Sequence, residues 1–274
     1  MTNSQISFKA LSVFSLQWLF PYFCGMETAI SFSLSLPKSW VELTTAQQLY
    51  VYFLLSEGYN AAEIRSFCLL RWSGIKVLAA QGKQNYLVKH GKQRGILSAS
   101  QVAAAATELS FLDQLPPVPM RPENIDGHEA MPADLMGVPF EKYLCLDNLY
   151  QGYLQTQNDS IIRQMAAILY DAEDIRLTKI QTVAVFYWFA TVKTMLRSRF
   201  PHLFQPFDPK QSNTLGNASL STHLQETMDA QIRALTKGDV TKEAEVLRLD
   251  TWRALTELNA QAKEYEELRR NSKT

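Results

Sequence analysis

The chain has 274 residues, enough to bury a sizeable core as one large domain or two small ones. Lys+Arg and Asp+Glu balance at 27 each and the pI is near 6.9, so no global field favours nucleic acid or an anionic membrane. Cys24, Cys68 and Cys145 lie far apart without a CxxC pair, and His90, His128, His202 and His223 are equally scattered. Neither a disulfide framework nor a metal-ligand spacing is written there, which predicts a reduced, cytoplasmic setting and no cofactor.

Residues 10–24 are apolar behind a lone Lys9, but Ser12, Ser15, Gln17 and Pro21 interrupt them, and the run is too short to span a bilayer. No small-x-small cleavage site follows. A domain start reads well from Met26, so residues 1–25 are expected as a dispensable extension. A signal peptide and a buried or surface-lying helix are the other readings. Ile30, Phe32, Leu34 and Leu36 then alternate with serines, the period of a half-buried strand, stopped by Pro37.

Thr44 or Thr45 caps a helix that Gly58 ends near residue 57, and Asn60 with Glu63 forms the N-cap pattern of a second, Ala61 to Trp72. Short apolar runs at 75–80 and 86–90 flank the polar turn 81–85, a β-hairpin signal. A turn over 91–95 leads to an alanine-rich helix, roughly 100–112, capped by Ser98 or Ser100. Pro116, Pro117, Pro119, Pro122, Pro132 and Pro139 crowd the next segment, so 113–139 is predicted as an irregular linker. It separates an α+β domain, 26–112, from a helical domain, 140–274.

In that second part the spacing predicts helices over 140–155, 161–170 (capped by Asp159 or Ser160), 178–199 and 221–236. The helix at 178–199 is apolar almost all round and is expected at the centre of the core. The chain closes on Thr241–Arg270, where Val246, Leu249, Trp252, Leu255, Leu258, Ala262, Tyr265 and Leu268 recur at helical steps. This predicts one long amphipathic helix, with Trp252, Leu255, Leu258, Tyr265 and Leu268 as candidate protein-binding residues. The fold class is thus α+β, mainly α: a small N-terminal sheet with a helical hairpin, then an all-helical part ending in a long amphipathic helix.

The hairpin at 44–73 has the outline of a helix-turn-helix. The middle of its second helix is Phe67, Cys68, Leu69 and Leu70, where a DNA reader needs polar side chains, so an ordinary hairpin is the stronger reading. Lys83, Lys89, His90, Lys92 and Arg94 cluster around the β-hairpin and could grip phosphates; in a neutral chain a solvated turn is the simpler account. Asp171, Glu173 and Asp174 lack an EF-hand ligand series. Glycine-rich phosphate loops, G-x-S-x-G elbows and H-E-x-x-H are absent, so no catalytic residues are nominated.

Three patches carry a resemblance: L-P-K-S-W-x-E-L-T at 36–44, P-F-E-K-Y-L-x-x-D-N-L-Y-Q-x-Y-L at 139–154, and the long segment 234–267 that begins A-L-T-K-G-D-V-T-K-E. Together they resemble a family of bacterial proteins found in prophage-like gene clusters, over about residues 26–270. The resemblance implies a phage-structural or assembly-accessory role and transfers no catalytic residue. The expectation is a non-enzymatic, phage-type (tail) assembly or accessory protein whose partners are other phage-type structural or assembly proteins. Neither a membrane nor nucleic acid is expected as a partner. The alternative is a DNA-binding regulator using the hairpin at 44–73.

Overall fold

The computed structural model describes residues 10–11, 29–30, 35–204 and 220–272. The chain divides into two units, Met1–Leu115 and Pro116–Thr274. The fold class is α+β, mainly α, as the periodicities predict. The expectations for residues 1–25 fall outside the described residues, apart from the two-residue strand β1 (Ala10–Leu11). Of the strand expected over 30–36, Ile30 closes β2 (Ala29–Ile30), residues 31–34 lie outside the described residues, and Ser35–Leu36 is irregular.

In the first unit, α1 (Thr45–Ser56) and α2 (Ala61–Trp72) start where short polar side chains capture orphan amides. Thr44 and Gln47 form one capping box, Asn60 and Glu63 another. Between them Gly58 takes φ +80°, which lets Gly58 N–H donate to Leu55 and Tyr59 N–H to Leu54 in a Schellman turn. The strands β3 (Lys76–Gln81), β4 (Asn85–His90) and β5 (Gln93–Ser98) form an antiparallel meander, and the sheet order is β2-β1-β5-β4-β3. β5 replaces most of the turn expected over 91–95. Gly95 sits buried opposite Val88, so the glycine that suggested a turn lies inside a strand.

Ser98 and Gln101 cap α3 (Ala99–Ala106), and a 3-10 segment, Thr107–Asp113, completes the unit. Trp40 organises it. Its buried indole stacks on Tyr52 at 6.2 Å and meets Phe111 edge-on at 6.4 Å, and its N–H reaches the carbonyls of Phe111 (3.0 Å) and Gln114 (2.9 Å).

The second unit begins with the proline-rich segment, and here the expected irregular linker is revised. From Pro116 on, the segment is a strap packed into the unit. It contains a tiny hairpin, β6 (Asn124–Ile125) and β7 (His128–Glu129), and buries Ile125, Leu135 and Val138. Prolines withhold donors but keep their carbonyls, and other elements supply the missing donors. Tyr170 Oη donates to Pro122 (2.7 Å), Trp188 Nε1 to Ala133 (2.7 Å) and Trp252 Nε1 to Asp134 (2.8 Å). The Arg121 guanidinium donates to the carbonyls of Ala130 and Met131.

The helices α4 (Phe140–Thr156), α5 (Asp159–Leu169), α6 (Lys179–Arg199) and α7 (Leu220–Thr236) follow. Asn158, one residue earlier than expected, caps α5. Along α6 no residue from Gln181 to Lys193 is exposed, which places it at the centre as its all-round apolarity requires. Among the described residues no helix is long and apolar enough to cross a membrane.

The single terminal helix expected over 241–270 is divided. A 3-10 turn, Val240–Lys242, and α8 (Glu243–Leu247) precede α9 (Thr251–Asn271). The break at 248–250 is held by the strap. Pro139 bridges Asp250, Phe140 N–H donates to Leu249 (2.8 Å), and Thr251 gives Val138 both its amide (2.9 Å) and its hydroxyl (2.7 Å). Asp250 caps α9 through Oδ1 to Arg253 N–H (2.9 Å) while Oδ2 accepts from Gly137 N–H (2.5 Å). Asp250→Ala should therefore cost about 1–2 kcal/mol and lower Tm, with Asp250→Asn recovering much of the loss, measured by thermal melts. An unchanged melt for the alanine variant would show that the break does not depend on this carboxylate.

Candidate protein-binding surfaces

The five nominated residues of the terminal helix separate into two groups. Leu255 and Leu258 are buried in the core of the second unit. Trp252 is half-buried; besides donating to Asp134, it meets Phe200 edge-on at 5.8 Å. These three serve the chain's own packing. Tyr265 and Leu268, by contrast, are 69% and 70% exposed. Polar side chains fix which side of α9 faces inward. Asn259 Oδ1 accepts from the amides of His202 (3.0 Å) and Leu203 (3.2 Å), and Glu266 lies 3.1 Å from His202 Nδ1. Residues three apart share a helix face, so Tyr265 and Leu268 form one apolar step on the distal end.

A second surface, not nominated from the sequence, lies on the hairpin α1–α2. Phe53, Tyr59 and Phe67 are each about two-fifths exposed. Tyr50 stacks with Phe53 at 6.2 Å, Tyr59 meets Phe67 at 5.0 Å, and the Arg71 guanidinium lies 4.2 Å over the Tyr50 ring. Burial pushes the Tyr50 phenol up, Cys68 adds to this, and Arg71 opposes it, so Tyr50, Cys68 and Arg71 are electrostatic neighbours. A signal for this patch was present in the sequence. Leu49 to Leu55 is apolar without interruption, and a helix that buries only one stripe must leave part of such a run outside. On α2 the exposed positions are Ala61, Ala62, Glu63, Phe67 and Arg71, while Arg65 is ion-paired with Asp113.

Among the described residues, two clusters of titratable side chains are held by ion pairs. Buried Lys193 pairs with Asp147 (2.8 Å), donates to Tyr143 Oη (3.2 Å), and lies 4.9 Å from the centre of the Phe204 ring. Burial pushes the Tyr143 phenol well up, with Asp147 adding and Arg197 opposing. A buried charge needs such a partner, and the pair pins α6 to α4. A groove of about 430 Å³ is lined by Glu141, Lys142, Cys145, Asp171 and Glu173 among others, where Lys142 neutralises Asp171 at 2.6 Å. Of the remaining acids in that run, Asp174 caps Ile175 N–H. Among the described residues no group of three or more His, Cys, Asp or Glu is placed to hold a metal ion.

The chain matches no protein-family model, no curated protein and no solved structure. The phage setting therefore rests on the sequence patches alone, and the surfaces on their own geometry.

The patch on α1–α2 covers a shielded thiol. Cys68 is fully buried and burial pushes its thiol up to about 12; partial burial and then Glu141 also raise the Cys145 thiol, but Cys145 is open to reagent. Only thiolate attacks a disulfide reagent, so at about pH 8 the folded protein bearing Cys24→Ser should react at Cys145, with Cys68 reacting only on unfolding. Equal rates at both, read by mass spectrometry, would contradict the packing beneath Tyr50.

Proposed function

We propose that this protein is a non-enzymatic assembly or structural accessory of a phage-type particle, of the tail in particular, working in the cytoplasm through contacts with other phage-type proteins. The aromatic patch on α1–α2 carries the reading. Tyr50, Phe53, Tyr59 and Phe67 with Arg71 have the composition of an interface centre, where aromatic residues and arginine dominate binding energy. Phe53, Tyr59 and Phe67 each leave about two-fifths of their surface exposed, so a partner that covers all three gains on the order of a few kcal/mol. Tyr265 and Leu268 supply a smaller second contact at the tip of α9. The phage setting is taken from the resemblance of residues 36–44, 139–154 and 234–267. The outward side of α2 presents Phe67 between Glu63 and Arg71 rather than a base-reading set, which speaks against regulation through that helix.

Co-sedimentation with purified tails from the phage or prophage locus that encodes the chain tests this. The wild-type protein should sediment with the tails. Phe53→Ser with Phe67→Ser should weaken that binding about tenfold or more while far-UV CD is retained. Tyr265→Ser with Leu268→Ser should weaken it less. Failure of the wild type to bind, or indifference to both pairs of substitutions, would overturn the proposal.

A further inference from the structure

The neutral total of the chain hides a segregated distribution. Between Glu63 and Glu108 there is no carboxylate, while Arg65, Arg71, Lys76, Lys83, Lys89, Lys92 and Arg94 are all cationic. The sheet and its turns then gather the last five of these charges. Lys76 stands opposite Lys89 in β3–β4, and Lys89 opposite Arg94 in β4–β5. Three cations thus form one row across three strands, on strands about 4.8 Å apart. Lys83 and Lys92 sit in the two turns at either end of the meander.

Lys76, Lys83, Lys89, Lys92 and Arg94 are exposed, as is every residue of β3. Among the described residues no carboxylate forms an ion pair with Lys76, Lys83, Lys89, Lys92 or Arg94. Like charges placed directly opposite one another on a sheet are destabilising. The fold therefore tolerates a repulsion that an anionic ligand would relieve.

We propose that the β3–β4–β5 face binds nucleic acid through its phosphate backbone, without reading sequence. Two features favour this occupant over an acidic protein. Centres of protein interfaces are depleted in lysine and built on apolar anchors. Here the next row on the same face is Ala79, Leu87 and Ile96, of which Leu87 and Ile96 are half-buried; exposed Val77 and Leu78 of β3 lie outside both rows. A nucleic acid also repeats its charge closely, about one per 1.7 Å of duplex axis, which suits a row of neighbouring cations better than scattered carboxylates do. At the β3–β4 turn Gln81 pairs with Asn85, and exposed Gln84 lies between them. Such amides add donors for phosphate and sugar oxygens. The surface uses none of the aromatic patch residues and stands independently of the assembly reading.

Fluorescence anisotropy with a short random-sequence duplex and its single strand, from roughly 50 to 200 mM salt, is the test. The full chain should bind both, more weakly as salt rises, and equally for unrelated duplex sequences. The triple variant Lys76→Gln, Lys89→Gln, Arg94→Gln should lose about tenfold or more at low salt. Its log–log salt slope for the duplex should be shallower by roughly three. The same variant should melt higher, since it removes cross-strand repulsion; this readout separates lost binding from lost folding. Lys237→Glu, in the second unit, should change nothing. Absence of binding at the lowest salt, or binding that the triple variant leaves intact, would overturn the proposal. Tighter binding to poly-glutamate or to phosphatidylglycerol vesicles than to either nucleic acid would do so as well.

Discussion

The second unit depends on how the carbonyl groups of its proline-rich strap are satisfied. Six prolines crowd 113–139 and leave the strap short of amide donors, yet Ile125, Leu135 and Val138 are buried. A carbonyl taken out of water without a donor costs about 1–3 kcal/mol, so a packed strap is stable only if other elements supply N–H and O–H groups. Tyr170, Trp188, Trp252 and Thr251 do so from α6, α9 and the end of α5. Each of these side chains combines a donor with apolar bulk or a position beside the core, so the same contact closes the hydrogen bonds and fills the interior.

The division of the terminal segment follows from this. Pairing of Pro139 with Asp250 and of Phe140 with Leu249 requires the helix to break before α9, with Asp250 extended, and α9 restarts on the Asp250 cap. With its start fixed, α9 directs Ala254, Leu255 and Leu258 into the core. Beyond Asn259 the helix runs past the core, and Tyr265 and Leu268 remain outside. One apolar stripe thus does two jobs, internal packing over its first two turns and surface exposure at its tip.

Much of the fold was legible because its signals are local. Thr44 and Asn60 with Glu63 cap helices through contacts three residues apart, and α6 declares its burial by lacking a polar face. What escaped was non-local or in phase with the wrong reading. Val246, Leu249 and Trp252 keep helical spacing straight through the break, so periodicity could not reveal it; only Asp250 followed by Thr251 hinted at a new cap. Proline density suggested a linker because it reports lost donors and says nothing of donors supplied from elsewhere. β5 was obscured by Gly95 within a strand. Of the candidate surfaces, Tyr265 and Leu268 were readable from the stripe. The aromatic patch required knowing that Val51, Tyr52 and Leu54, rather than Phe53, turn inward.

Charge gave the opposite lesson: a total of zero is compatible with a sheet face whose charged side chains are all cations, and only strand register brings Lys76, Lys89 and Arg94 into one row. Residue-resolved amide hydrogen exchange would decide whether the strap is part of the fold. Met131, Phe140 and Thr251 donate their amides to Leu169, Leu249 and Val138, and each should exchange as slowly as the amides in the middle of α6. Exchange of these three at the rate of an unprotected peptide, while α6 stays protected, would mean that 116–139 is a free tether and that nothing holds the break before α9.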